Sequence, residues 1–262
     1  MHSNLFDRYH DKQSFLHHLD PRVKVVLTVA FIVSNVLLTD GAWLAFACAW
    51  SLILIANLLS QLGWSFTLRR SFIALPFALA ALSSLFEPGG PALSSFMFLG
   101  AKFTITYFGL LRFSSILIRS WLSVQAAILL VAVTPFPDLL HALEHLRVPK
   151  IITTIIAFLY RYLFVLTDEV LRLMRARQAR SAAAPGQRSG GSVMWRANVT
   201  GNMVGQLFLR SYERSDRIYN AMLARGYAGQ IRTLHAHTLT RRDWWFGALA
   251  IALILSLQLI GR

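Results

Sequence analysis

The run AWLAFACAWSLILIANLL, residues 42–59, decides the fold of this chain. It carries no charge and comes close to the ~20 mostly apolar residues a helix needs to cross the hydrocarbon core of a bilayer. Four further apolar runs share its character: Val23–Leu38 before it, then Phe72–Phe86, Trp121–Val133 and Trp244–Ile260. Hydrophobic residues make up 55% of the chain and charged residues 15%, with a mean hydropathy of +0.51. Soluble domains carry nearer a quarter charged residues, so the composition points to an all-α integral membrane protein with about five transmembrane helices.

Punctuation between the runs sets the boundaries. Thr39-Asp40-Gly41 is a polar break, Gln61 to Arg70 a short loop, and Glu87-Pro88-Gly89-Gly90-Pro91 a turn signal. From Ala92 to Thr134 the apolar pattern is interrupted by Lys102, Arg112 and Arg119. Two crossings there would turn the following basic region to the outside. One crossing, preceded by an interfacial or tilted helix, keeps it inside, and the later arginines favour that arrangement. Pro135 and Pro137 end the span, and Asp138 to Arg147 forms a short amphipathic helix stopped by Val148-Pro149. Lys150 to Ala184 and Val193 to Arg225 read as two long helices joined by a linker containing Pro185-Gly186 and Ser189-Gly190-Gly191-Ser192. The apolar first half of the former holds Arg161, which argues for a helix packed in protein or lying at the interface. Gly226 suits a left-handed C-cap. The expected organisation is a transmembrane region of about four spans over 1–134, a cytoplasmic helical module over 135–243, and a last span over 244–262.

The net charge of +14 is concentrated between about 138 and 243 and near the N-terminus. This is the pattern of cytoplasmic segments in a multi-pass protein of the cytoplasmic (inner) membrane. Anionic headgroups of the lipid bilayer account for it, and no nucleic-acid module accompanies the charge, so no nucleic-acid partner is expected. The single cysteine, Cys48, permits neither an intramolecular disulfide nor a thiolate cluster. The polar first twenty residues, with no small-residue cleavage site after them, do not read as a signal peptide. No Gly-x-x-x-x-Gly-Lys-Ser/Thr loop is present, so P-loop ATP binding is not expected of this chain.

Two short arginine signatures remain, Ala179-Arg180-Ser181 and Ala224-Arg225-Gly226, each closing a long charge-studded helix. A cation at a helix C-terminus is favoured by the macrodipole, so capping alone could explain either one. The small neighbours leave each guanidinium unobstructed, however, and its planar fork can pair with carboxylates in a groove.

Several stretches carry a resemblance. Thr134-Pro135-x-x-Asp138-Leu139-Leu140-x-Ala142-Leu143-Glu144-x-Leu146-x-Val148-Pro149 resembles the central segment of the transmembrane T component of energy-coupling factor (ECF) transporters, nearest the CbiQ/NikQ branch of cobalt and nickel uptake. Leu19-Asp20-Pro21-Arg22-x-Lys24, Tyr160-Arg161-Tyr162-Leu163 with Asp168-Glu169, and Ala221-Met222-x-Ala224-Arg225-Gly226-Tyr227 are similar to the same family. The resemblance implies a non-catalytic coupling subunit of an importer. Its partners would be two cytoplasmic ATP-binding cassette ATPases and a substrate-capturing membrane subunit. ATP and magnesium would be bound in the partners, and no cofactor by this chain. Arg180 and Arg225 would be the coupling arginines, one for each ATPase. Ala176-Arg177-Gln178 is a competing triplet, and counting from Asp168-Glu169 favours Arg180. Ser181, where many relatives have glycine, suggests that the helix continues through Ala182 to Ala184.

Other features are weaker. His141 and His145 share a helical face but lack a third ligand, and His17-His18 and His235-x-His237 fall in flexible or loop segments, so no metal ligand is assigned. Lys102, Arg112 and Arg119 are read as interfacial, snorkelling side chains. Gly201 and Gly205 could allow close helix crossing. Asp20-Pro21-Arg22 reads first as a helix start. The rival functions are a gradient-driven permease, which wants ionisable pairs deep in the spans, and a non-transporting membrane scaffold. A membrane-embedded enzyme is third, since Glu87 and Asp40 stand alone at turns.

Overall fold

In a computed structural model, which describes residues 9–10, 12, 14–86, 92–98, 101–181, 191–229 and 239–261, the apolar runs are helices. After a four-residue helix α1 (Phe15–His18), α2 (Pro21–Leu37) starts at an N-cap Asp20 whose carboxylate accepts the Arg22 amide at 2.8 Å, with Pro21 at the first helical position. Then come α3 (Trp43–Ser60), α4 (Trp64–Arg70) and α5 (Leu75–Ala81), with 3-10 turns over Ser71–Ala74 and Leu82–Phe86. Strands β1 (Ala92–Phe98) and β2 (Ala101–Thr106) precede α6 (Tyr107–Val133), α7 (Phe136–His145), α8 (Lys150–Arg180), α9 (Val193–Ala224) and α10 (Arg241–Ile260). Contacts divide the chain into two units. One holds α1–α7, the hairpin and α10, and the other holds α8 and α9.

By length and composition, α3, α6, α8 and α10 could cross a membrane, and the segments 65–74 and 79–85, bent by 48° at their break, would make a fifth span taken together. The chain is a multi-pass α-helical membrane protein. At 17 residues, α2 is ~26 Å long, slightly short of a ~30 Å hydrocarbon core. The run beginning at Phe72 is thus not one straight span. Pro76 lacks an amide proton and its ring clashes with the preceding turn, so the chain restarts as α5 after a 3-10 segment. The turn expected at Glu87–Pro91 and the linker residues 185–190 lie outside the described residues.

Between Ala92 and Thr134 there is one long helix, as the basic residues required, but the segment before it is an antiparallel hairpin rather than an interfacial helix. Phe96 pairs with Phe103 and Ser95 with Thr104. The alternation Lys102-Phe103-Thr104-Ile105-Thr106 has the period of two that suits a strand, and pairing satisfies the backbone groups of both segments. α6 itself is 27 residues, ~40 Å, longer than the bilayer core requires.

The core of the membrane unit is built from α2, α3, α6 and α10. Phe31, Leu38, Phe46, Ile53, Leu122, Ile254 and Leu257 are buried together, and the fully buried Ala45 and Ala49, one turn apart, let neighbouring helices approach α3. Polar side chains tie the helices across this core. Asn35 of α2 donates to the Arg119 carbonyl at 2.9 Å and to Ser123 at 3.1 Å, Gln258 of α10 donates to Ser34 Oγ at 2.8 Å, and the Trp121 indole donates to Ser71 at 2.9 Å.

Arg119 corrects the snorkelling expectation. It sits midway along α6, yet its guanidinium donates to the Leu38 carbonyl and pairs with Asp40 at 2.8 Å. It closes the end of α2 at the α2–α3 turn, where an orphan carbonyl and a turn carboxylate supply its counter-groups. Gly41 in the same turn adopts φ +84°, and its amide donates to Ser115 of α6 at 3.0 Å.

At Gly109 the backbones of α6 and the 3-10 turn meet, and a methyl group there would lie 2.6 Å from the Leu85 carbonyl oxygen. Gly109→Ala is therefore expected to lower the melting midpoint of the purified protein, through an overpacking cost of ~1–3 kcal/mol. Gly205→Ala on α9, whose added methyl meets nothing within 4 Å, is expected to leave the midpoint unchanged or raise it, through a stability gain of up to ~1 kcal/mol. Equal losses from both substitutions would contradict the close approach. A double-mutant cycle between Ser34→Ala and Gln258→Leu should return a coupling of ~0.6 kcal/mol, typical of hydrogen bonds between membrane helices, and a coupling of zero would remove this tie from the account.

Candidate functional site

The arginine signatures lie at the ends of the two longest helices. α8 starts behind Pro149, which suits the first turn of a helix because it offers no amide to leave unpaired. It ends at Arg180. Ser181 is its cap, with its amide donating to the Arg177 and Gln178 carbonyls at 3.0 and 3.1 Å and its hydroxyl to the Arg177 carbonyl at 2.9 Å. Serine thus satisfies the orphan carbonyls that a glycine cap would reach through its backbone. The continuation expected through Ala182–Ala184 falls outside the described residues.

α9 is capped at its start by Ser192, which accepts the Trp195 amide at 3.2 Å. At its end Gly226 takes φ +78° and donates to the Leu223 carbonyl at 2.9 Å, while the Tyr227 amide reaches back to the Met222 carbonyl at 3.0 Å. This is a Schellman closure, whose left-handed position favours a residue without a Cβ, as Gly226 is. Arg225 is the capping residue just before it.

The two helices run antiparallel. Arg210 of α9 pairs with Glu169 of α8 at 2.6 Å, Arg172 approaches the same carboxylate at 3.5 Å, and Arg177 donates to Thr200 at 3.3 Å. Toward the other end, Ile155, Phe158 and Tyr162 of α8 face Ile218, Tyr219 and Met222 of α9 across a cavity of about 410 Å³. The polar pairs near one end and the apolar lining near the other fix the register. In this register Arg180 is level with the start of α9, and Arg225 with the start of α8. At 1.5 Å per residue the two guanidinium-bearing ends are separated by ~40 Å.

Ala179, Arg180, Ala224, Arg225 and Gly226 are exposed and Ser181 is half-buried. Among the described residues neither Arg180 nor Arg225 has an ion-pair partner. Arg177 is different, being half-buried and bonded to Thr200. Of the two competing triplets, the one centred on Arg180 presents its guanidinium to solvent. The structure therefore keeps the two signatures apart, at opposite ends of one helix pair, rather than joining them into a single pocket.

Apolar side chains on this pair are also exposed. Ile151, Ile155 and Leu159 form a stripe on α8, and Val204, Phe208, Tyr212, Tyr219 and Leu223 one on α9. Gly201 and Gly205 lie on the α9 stripe, and a methyl group added at either meets nothing within 4 Å among the described residues. Among these residues the small-x-x-x-small spacing serves no packing contact.

The histidines are placed variously. His141 and His145 share a face with ring centroids 4.6 Å apart, and His145 Nδ1 is 3.1 Å from the His141 carbonyl. His17 is held rather than flexible, 2.6 Å from Ser14 and 2.9 Å from the His10 carbonyl. His235 and His237 lie outside the described residues. Among the described residues no three His, Cys, Asp or Glu side chains converge on a point that could hold a metal ion.

Asp243 is the functional-looking residue that sequence reasoning passed over. Its Oδ2 accepts both the Thr240 amide (2.9 Å) and hydroxyl (2.6 Å), and its Oδ1 accepts the Asp20 amide at 3.2 Å. The Thr-x-x-Asp spacing ahead of an apolar run was the available signal, since it is a capping-box pattern.

Comparison with known proteins bears on this arrangement directly. The family model CbiQ, described as cobalt transport protein, matches residues 12–238. An uncharacterized protein of Methanocaldococcus jannaschii, MJ1571, is 28% identical over 98% of this chain and 86% of its own length. The energy-coupling factor transporter transmembrane protein EcfT of Brevibacillus brevis is 27% identical, covering 97% of this chain and 96% of that protein. EcfT of Leuconostoc gelidum is 26% identical, covering 88% and 87%. With a family match running from before the first span to beyond α9, and relatives aligned along nearly its whole length, this multi-pass membrane protein belongs to the CbiQ cobalt transport protein family.

Proposed function

We propose that this chain is the transmembrane coupling subunit of an energy-coupling factor importer, with cobalt or nickel ions as cargo. The observation that carries the reading is the presentation of Arg180 and Arg225 as exposed tips at opposite ends of the antiparallel α8–α9 pair. Two tips ~40 Å apart suit two separate docking grooves, one on each of two cytoplasmic ATPases, better than one ligand site. The names of the EcfT relatives and the description of the family support the same assignment, and the family description supports cobalt as cargo.

The mechanism we propose uses the geometry of the pair. ATP binding brings the two ATPases together, and a guanidinium seated in each groove converts that approach into relative motion of α8 and α9. Both helices are long enough to act as levers, and the Arg210–Glu169 contact toward the middle of the pair, with its arginine exposed and its glutamate half-buried, is a charged pivot between them. The exposed apolar stripes of α8 and α9 suit a membrane-embedded partner, the capture subunit, which the sliding helices would tilt. This chain performs no bond chemistry in the scheme, and hydrolysis of ATP belongs to the partners.

Arg180→Ala and Arg225→Ala are each expected to weaken ATPase retention by ~2–5 kcal/mol, and the double variant to abolish both retention and uptake. Affinity purification from native membranes with mass spectrometry, alongside metal uptake in cells, checks this. Arg177→Ala removes only an exposed hydrogen bond to Thr200 and should retain the ATPases as wild type does. Uptake and retention that survive the double variant would refute the assignment. On the apolar stripe, Phe208→Asp with Tyr212→Asp should release a capture subunit while leaving the ATPases bound, measured in the same purification.

A further inference from the structure

The start of α10 carries exposed groups that the coupling scheme does not use. Arg241, Trp244, Trp245 and Ala248 recur at i, i+3, i+4 and i+7, which places them on one face of the helix. With Leu239 and Thr240 they line a groove of about 610 Å³, within the ~300–1,000 Å³ usual for small ligands. The face that packs into the membrane unit is a different one, and it holds the buried Asp243, Gly247, Ile254 and Leu257. Trp244 is 72% and Trp245 78% exposed, so the described residues leave both rings uncovered. Every residue lining the groove belongs to the membrane unit, and the groove therefore depends neither on the α8–α9 unit nor on the coupling reading.

The groove has a charge at one end. Arg241 and its neighbour Arg242 are exposed, and among the described residues neither has an ion-pair partner. The carboxylate of this turn does not serve them. Asp243 is 5% exposed, with Oδ2 taken by Thr240 and Oδ1 by the Asp20 amide. The capping box thus closes the helix without the arginines, and their charges remain open to an anion. A guanidinium's planar fork matches a phosphate in particular. A basic pair directly before a span also sets this end at the cytoplasmic leaflet, where anionic lipids gather.

Depth separates a lipid from other anions. Trp244 and Trp245 stand three and four residues beyond Arg241, ~5–6 Å further along the axis. The headgroup zone of a bilayer is ~5–8 Å thick on each side. With the guanidinium at a phosphate, the indoles therefore reach the edge of the hydrocarbon, where tryptophan is enriched. Beyond them the exposed Ala248 and Ala252, one turn apart, keep the face shallow as far as Leu255, which leaves room for a chain lying along the helix.

We propose that this face of α10 binds one phospholipid of net negative charge, its phosphate on Arg241 with Arg242 beside it, and its acyl chain laid past the two tryptophans onto Ala248. A zwitterionic lipid would bring its own ammonium toward the two guanidinium groups and bind less tightly.

The test uses the full-length chain, purified in detergent and stripped of lipid. The probes are phosphatidylglycerol and phosphatidylethanolamine with identical chains, and native mass spectrometry measures what is bound. Wild type is expected to hold one phosphatidylglycerol more tightly than any phosphatidylethanolamine. Arg241→Gln with Arg242→Gln should weaken that lipid by about thirtyfold, the combined effect of two basic side chains at an anionic headgroup. Arg175→Gln with Arg217→Gln, which removes two exposed charges from α8 and α9, should leave it unchanged. Should the first variant fail to accumulate, Ala248→Trp fills the groove with both charges intact and should weaken the same lipid. Equal affinity of wild type for the two lipids overturns the proposal and leaves this face to a protein partner. So does an equal loss in the α8–α9 variant, or an unchanged phosphatidylglycerol affinity once the arginines are removed or the groove is filled.

Discussion

The carboxylate of Asp243 is shared between two helix starts, and the order of the membrane unit depends on that sharing. One oxygen closes the first turn of α10 through Thr240, and the other takes the amide of Asp20, the cap of α2. The first amides of a helix have no partners within it, and hydrocarbon offers none. Joining the two starts through one side chain sets α2 and α10 side by side at one end. Gln258 and Ser34, with Thr39 donating to the Gly261 carbonyl at 2.6 Å, fasten the same two helices toward the other end. Between these ties the helices need only small or well-fitting apolar side chains, and the alanines of α3 and the leucines of α6 and α10 supply them.

The α8–α9 unit is held by a different balance. Its two helices meet through a few polar pairs and an apolar cavity, and much of its apolar surface remains uncovered by the chain itself. A tightly packed helical hairpin would bury those side chains and lose its freedom to slide. Sparse internal contact together with exposed apolar stripes is the property expected of an element that completes its burial on other subunits.

Much of this was legible in the chain before any coordinates. The uncharged run from Ala42, the cap Asp20-Pro21, the stop at Val148-Pro149 and the left-handed Gly226 all act locally, through propensity and backbone sterics, and each stands where local reasoning put it. Other features were hidden for physical reasons. The hairpin before α6 has a short alternating pattern that its apolar residues disguised as a helix. The run after Arg70 is broken at Pro76 because a single missing donor outweighs continuous hydropathy. Arg119 looked like a snorkelling side chain because its counter-groups, Leu38 and Asp40, lie some eighty residues earlier.

The sequence by itself determined that the chain lives in a membrane, where several of its helices begin or end, and which arginines close the two longest of them. These properties depend on solvation and on hydrogen bonds spanning a few residues, so neighbours along the chain suffice to set them. Only the tertiary structure decided that Arg177 turns onto Thr200 while Arg180 faces solvent, that the two arginine tips stand at opposite ends of one pair, and that the Asp243 carboxylate serves the starts of both α2 and α10. Each of these rests on the register between helices distant in sequence, which packing and paired charges fix and which no local pattern encodes.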